Sequence, residues 1–415
     1  MSRSFEDSKL GRTASSVSEW GPFMAHERQR VFVGMSGGVD SSVSAALLVE
    51  QGYDVTGVYM KNWSKDLPGM KCPWADDLAD AKRVAVKLGI PFEVWDFEEA
   101  YHKKVVEYML AEFKKGNTPN PDVMCNQEIK FKLFYEKAME RGADYIATGH
   151  YARVKDGQLL RAVDENKDQT YFLYRISDEA LKHTIFPIGE MLKPDVKKLA
   201  EEKGLHNAYK KESMGVCFVG EVGMKDFLKE YIDITPGEIR EIESEKVLGY
   251  HEGAVFYTIG QRHGLYLSGN AGETNDGMPY YVVKKDLDKN IVYVSKNLNY
   301  EAIWTRELRL KDTVVRAAGP DTSLRSGPRP SGPSPWADGV PSRAAALRNP
   351  LAEADVPPAT THSDVLTRLR HRAPLVPATF DGEILHFENE IKRPASGQSA
   401  VLYDGEVCLG GGIIA

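Results

Sequence analysis

A chain of 415 residues with 42% hydrophobic and 27% charged residues has the composition of an ordinary globular protein, and its length predicts more than one hydrophobic core. No run of about 18 uninterrupted apolar residues occurs, which argues against a helical membrane span. The net charge of -7 shows no whole-protein basic bias, so any nucleic-acid binding must rest on a local basic face.

Residues 1–29 contain no apolar h-region and carry Glu6, Asp7 and Glu19, so they read as a disordered tail rather than a targeting peptide. Val31-Phe32-Val33 is a short apolar strand that runs into a glycine-rich turn, and the helical pattern after it closes at Gly52. A second strand is predicted from Asp54 to Met60. Leu78, Ala81, Ala85 and Leu88 then recur at helical spacing until Gly89. A third strand at 92–97, a long helix at 98–115, a proline-rich loop, a helix starting near Gln127 and a strand at Tyr145-Ile146-Ala147-Thr148 follow. This alternation predicts an α/β domain over 30–217, with a doubly wound parallel sheet whose site lies at the carboxyl ends of the strands.

After about residue 218 the pattern changes. Residues 218–280 read as a small central domain and 281–415 as a C-terminal β-barrel, its first hairpin turning at Asp288-Lys289-Asn290. Residues 319–361, rich in Pro, Gly, Ser and Ala, read as a disordered insertion in that barrel.

The loop Ser36-Gly37-Gly38-Val39-Asp40-Ser41-Ser42 between strand and helix suits a phosphate: glycines admit close backbone approach, and the helix start offers unpaired N–H groups. It has neither the lysine of a GxxxxGK[ST] loop nor the GxGxxG of a dinucleotide fold. The four cysteines, Cys72, Cys125, Cys217 and Cys408, form no CxxC pair, which weighs against zinc ribbons and thioredoxin-like motifs and predicts no metal centre. Cys125 follows the Pro119–Pro121 loop just ahead of the predicted helix, where a thiolate is favoured, and Cys217 lies in a glycine-bounded loop. Cys72 and Cys408 read as inert.

The loop resembles that of the PP-loop ATP pyrophosphatases, of adenine nucleotide alpha-hydrolase-like fold. Further motifs resemble the tRNA 2-thiouridylases among them: Met60-Lys61-Asn62-Trp63, Thr118-Pro119-Asn120-Pro121-Asp122, Cys125-Asn126, Thr148-Gly149-His150-Tyr151, Lys167-Asp168-Gln169, Gly215-Val216-Cys217-Phe218 and Gly410-Gly411-Gly412. The resemblance implies a cytoplasmic sulfurtransferase that uses ATP with Mg²⁺ to 2-thiolate a tRNA wobble uridine. It also implies a persulfide donor as partner, either a cysteine desulfurase or a sulfur-relay protein. It implies nucleotide contacts at Gly34, Met35, Ser36, Gly37, Gly38, Val39, Asp40, Ser41, Met60 and Gly149. Cys217 would carry the persulfide, Cys125 would be its catalytic partner in a transient disulfide, and Asp122 an acid/base group. Asn120, Pro121, Asp122 and His150 would border the target base. Lys167, Asp168, Gln169, Arg370, His371 and Gln398 would contact tRNA, with His371 standing where the family more often has tyrosine. Two other readings stay open from the residues alone: a PP-loop enzyme that adenylates a small metabolite, and a non-enzymatic adenine-nucleotide sensor.

Overall fold

The structure, a computed structural model, describes residues 28–66, 72–211, 224–267, 278–297, 299–300, 303–316 and 362–415. Cys217, nearly all of the expected tail at 1–29, and the expected insertion at 319–361 lie outside the described residues.

The first domain runs β1 (Arg30–Gly34), α1 (Val39–Glu50), β2 (Asp54–Lys61), α2 (Trp74–Leu88) and β3 (Phe92–Asp96). A helix then begins as α3 (Glu98–Tyr101), widens into a π-turn (His102–Val106) and continues as α4 (Glu107–Lys114). A second begins as α5 (Pro121–Cys125), widens at Asn126–Leu133 and continues as α6 (Phe134–Glu140). There follow β4 (Tyr145–Thr148), β5 (Arg153–Lys155), β6 (Gln158–Leu160), α7 (Thr170–Leu173), α8 (Asp178–Lys182), β7 (Thr184–Ile185) and α9 (Lys193–Glu202). The sheet order is β3-β2-β1-β4-β7, with every pairing parallel.

Side chains of a strand alternate between faces, so each strand here feeds two cores. Val31 and Val33 of β1 join one apolar cluster while Phe32 joins the other. Helices cover both faces, as the alternating pattern predicted. The chain leaves β1 toward β3 on one side and returns to β4 on the other, so the strand order reverses between β1 and β4. That crevice is where open α/β sheets bind ligands.

A short helix α10 (Met224–Lys229) leads to the central domain, built from β8 (Gly237–Glu241), β9 (Val247–His251), β10 (Tyr281–Asp286) and β11 (Ile291–Ser295). The hairpin β10–β11 was expected to open the barrel; instead it belongs to this central sheet, in the order β10-β11-β8-β9. An isolated hairpin is marginal in water and needs a further strand and an apolar face. Here β8 provides the strand, and Ile239, Leu248, Val282, Val292 and Val294 provide the core.

The barrel comprises β12 (Trp304–Val315), β13 (His362–Arg368), β14 (Val376–Phe380), β15 (Ile384–Lys392), β16 (Ser399–Asp404) and β17 (Val407–Ile414). Pairing of β12 with both β15 and β17 closes it and leaves no open edge between them. The β5–β6 hairpin of the first domain adds onto β17, so the barrel is tied to the first domain by main-chain pairing.

Candidate active site

The loop after β1 turns at Gly37, whose φ of +77° is open to glycine without strain. It is internally braced: Ser41 Oγ accepts from Ser36 N at 3.2 Å and donates to Gly38 O at 3.1 Å, while Ser42 Oγ donates to Gly38 O at 2.8 Å. Asn207, buried, donates Nδ2 to both Gly37 O and Ser42 Oγ at 2.9 Å. The turn is therefore preformed at the start of α1. Met35 and Val39 point their side chains into the core, so they can offer a nucleotide only their backbone. Met60 lies beside the loop, its Cε 2.8 Å from where a Gly34 Cβ would stand.

Asp40, in the first turn of α1, is neutralised from afar. The Lys193 ammonium, at the start of α9, donates to its two carboxylate oxygens at 2.6 and 2.8 Å, and Tyr151 OH donates to Oδ1 at 3.1 Å. Nothing in the local sequence marked Lys193 or Asn207, and Tyr151 was named only within a resemblance motif, because each reaches the loop through tertiary packing.

The loop after β4 meets α1 at Gly149. A Cβ there would sit 2.5 Å from Ser41 N and 2.7 Å from the Asp40 carbonyl carbon, backbone atoms that cannot swing aside. Gly149→Ala is accordingly expected to cost ATP affinity at least about tenfold by levering the loop off β4, within the range of overpacking penalties. Titration with a fluorescent ATP analogue checks this; unchanged affinity would show that the contact relaxes freely.

The second wall of the site is the α5–π–α6 helix. Sequence placed its start near Gln127, with Cys125 just ahead of it. The structure starts it at Pro121, with Asn120 as N-cap accepting from Asp122 N at 3.2 Å. Proline is well suited to the first helical position, since the N–H it lacks would be unpaired there. Cys125 thus lies a full turn inside the helix, beyond the first-turn reach of the helix dipole, and is 4% exposed. Burial raises the Asp122 carboxyl above its usual range, with the charge of Lys130 opposing that rise.

His150 joins the two walls. Its Nδ1 lies 2.8 Å from Thr148 Oγ1 and its Nε2 3.3 Å from Lys130 Nζ. An ammonium only donates, so Nε2 accepts and Nδ1 carries the proton. Burial, reinforced by Lys130, holds the ring well below its ordinary pKa, so it is neutral at pH 7.

The segment that carries Asn120 is clasped by both other domains. Lys285 Nζ of the central sheet donates to Gly116 O at 2.6 Å, and Thr118 Oγ1 lies 3.2 Å from Thr258 Oγ1. From the barrel, Ser396 O accepts from Thr118 N at 2.8 Å and Gln398 Nε2 donates to Thr118 O at 2.7 Å. Gln398, expected at tRNA, is thus engaged within the protein.

Other expected tRNA contacts divide. Arg370 is exposed. His371 is half-buried, its ring centroid 4.5 Å from that of Phe172, and burial with nearby Arg372 and Arg368 pushes its pKa down to about 4. Lys167 is half-buried, and Gln169 Oε1 accepts from Tyr151 N at 2.9 Å. Asp168, also expected at tRNA, is 1% exposed and ion-paired to Arg368 at 2.7 Å, so its carboxylate ties the first domain to the barrel. Cys72 and Cys408 are buried at 5% and 1% exposure; burial raises both thiols, Cys408 to about 12.

Family models match along the chain: one described as tRNA methyl transferase HUP domain over residues 29–221, one as tRNA methyl transferase PRC-barrel domain over 225–296, and one as aminomethyltransferase beta-barrel domain over 351–414. The middle match ends just after β11, in agreement with the observed central sheet. Proteins called tRNA-specific 2-thiouridylase MnmA are similar over nearly the whole chain. The one from Idiomarina loihiensis is 43% identical, covering 94% of this chain and 97% of its own length. That from Listeria monocytogenes is 44% identical, covering 93% and 94%, and that from Pseudomonas fluorescens 42%, covering 94% and 95%. Likeness at that level, spanning the glycine loop, the cysteine-bearing helix and the barrel together, leaves one assignment: the chain belongs to the tRNA-specific 2-thiouridylase family.

Proposed function

We propose a division of labour among the residues of this tRNA-uridine 2-sulfurtransferase, which consumes ATP to 2-thiolate the wobble uridine of tRNA. The observation that carries it is the junction at Gly149-His150, where the nucleotide loop and the cysteine-bearing helix meet. ATP phosphates take the N–H groups of the Ser36–Ser42 loop at the start of α1. Asp40 is the carboxylate suited to a Mg²⁺ that arrives with ATP, since such ions take one or two carboxylates beside phosphate oxygens. Its Oδ2 accepts a bond from Lys193 and keeps a lone pair for the ion. The metal would neutralise the departing pyrophosphate.

The target uridine, held out of its stack, lies against Asn120, Pro121 and His150. Its O2 attacks the α-phosphorus of ATP and pyrophosphate leaves. The N3 proton passes to Asp122, whose raised pKa brings it nearer the working pH of a general base. The O2 atom, a poor leaving group in uridine, is now part of AMP.

Sulfur arrives as a persulfide on Cys217, loaded by a cytoplasmic persulfide donor. Either its terminal sulfur attacks C2 and Cys125 then attacks the Cys217 sulfur, breaking the S–S bond and leaving the terminal sulfur on the base, or Cys125 first attacks the inner sulfur and releases hydrosulfide for the attack on C2. AMP departs, N3 regains its proton, and a Cys125–Cys217 disulfide remains to be reduced by thiol exchange. Arg370 and Lys167 contact the tRNA backbone.

Cys217→Ser tests the sulfur route. In a purified system with ATP, Mg²⁺, tRNA and a persulfide donor, the variant is expected to form no 2-thiouridine by mass spectrometry of nucleosides while ATP and tRNA binding are kept. Thiolation by the variant would remove Cys217 from the mechanism. Wild-type protein that adenylates a small metabolite instead of tRNA would favour the metabolite reading.

A further inference from the structure

The phosphate-binding loop contains no lysine, and the Lys193 ammonium beside it is held by both carboxylate oxygens of Asp40. Adenylation nevertheless builds negative charge on the α-phosphate as one P–O bond forms and another breaks. Such charge is best met by a preorganised cation in a site sheltered from water.

Three observations point to Lys130 for this role. Its Nζ is 3.3 Å from His150 Nε2, and the residue before His150 is packed against the backbone of Asp40 and Ser41. The ammonium therefore stands where the nucleotide loop meets the catalytic helix. Next, the helix widens into a π-turn immediately after Cys125. In an α-helix the fifth residue on is rotated far from the first, whereas the wider i→i+5 turn brings the two closer round the helix. The widening turns Lys130 toward the face that carries Cys125. Last, Asp122 lies one turn before Cys125, and Lys130 is the charge it feels. The rings of Phe131 and Phe186 flank His150 at 5.7 and 6.2 Å, which shields this corner from water.

We propose that Lys130 is a catalytic residue of the adenylation step: held by His150, its ammonium contacts the α-phosphate and stabilises the charge that develops while uridine O2 bonds to phosphorus and pyrophosphate leaves. The ammonium transfers no proton; the N3 proton goes to Asp122 as above. The proposal rests on the 2-thiolation reading of the site.

The test compares wild type, Lys130→Met and Lys130→Arg in single-turnover, tRNA-dependent pyrophosphate release. ATP and tRNA dissociation constants are measured separately on the full chain. Lys130→Met is expected to lower the rate about 100-fold with both dissociation constants nearly unchanged, the pattern of an interaction made in the transition state. ATP bearing sulfur in place of a non-bridging α-phosphate oxygen supplies a second readout. The ratio of rates with ATP and with this analogue is expected to shift about threefold or more in Lys130→Arg, which keeps the charge and the fold. A Met variant as fast as wild type, a loss accounted for entirely by weaker tRNA binding, or an Arg variant with the wild-type ratio overturns the proposal. Wild-type 2-thiouridine formation in the same reactions tests the underlying reading separately.

Discussion

Replacing Cys125 by serine is expected to abolish 2-thiouridine formation, by at least about 10³-fold, while ATP is still cleaved to AMP on the tRNA. A hydroxyl in place of the thiol keeps the shape of the side chain in a helix already started by Asn120 and Pro121, but it cannot attack a persulfide or close a disulfide. The groups assigned to adenylation, Asp40, Asp122 and the glycine loop, are untouched. Two measurements on one reaction separate the halves: released AMP or pyrophosphate reports activation, and nucleoside mass spectrometry reports sulfur transfer. Cys125→Ala, which buries no hydroxyl at this 4% exposed position, should behave alike. Thiolation above about a hundredth of the wild-type rate in either variant would rule out Cys125 as the partner of the persulfide. Parallel loss of adenylation would show that the thiol shapes the activation site as well.

The glycine turn after β1 was legible in the sequence because it is local. Ser36 to Ser42 encode the turn, the helix start and the internal bracing in consecutive residues, and the strand before them ends in the right place. Gly149 was named through resemblance; its physical reason, contact with Ser41 N, appears only in the fold. The cation that neutralises Asp40 sits 153 positions away, and no periodicity connects the two. Lys130 escaped notice for a different reason. Helical spacing of 3.6 residues sets it off the Cys125 face, and the π-turn that changes this has no sequence signature of its own. The β10–β11 hairpin was found, since its alternation and its turn at Asn290 are local, yet its assignment failed. Its partner β8 pairs with β11 in parallel across about fifty residues, a connection that carries no signal in either strand.

The Lys167-Asp168-Gln169 segment leads to the largest expected effect on stability. Asp168 accepts from Ala162 N at 3.2 Å, from Thr170 Oγ1 at 2.9 Å and from Arg368 Nη1 at 2.7 Å. Thr170 Oγ1 in turn lies 3.1 Å from Tyr403 OH, and the Arg368 guanidinium stands over the Tyr403 ring at 5.5 Å. One buried carboxylate thereby joins the first domain to strands β13 and β16 of the barrel. Asp168→Ala would leave the guanidinium of a 6% exposed arginine without its counter-ion, and breaking a buried pair in this way costs about 3–5 kcal/mol. The expected result is earlier unfolding of the barrel, seen as loss of amide-exchange protection in β13 and β16 before the parallel sheet opens. Asp168→Ala with Arg368→Met removes both charges and should recover much of the loss, because the penalty lies in the orphaned charge more than in the missing attraction. Weaker tRNA binding is expected in the single variant only to the extent that the barrel is displaced, and it should return in the double variant. If Asp168→Ala weakens tRNA binding with barrel protection intact, the carboxylate acts on the nucleic acid, and its burial seen here is not its working state.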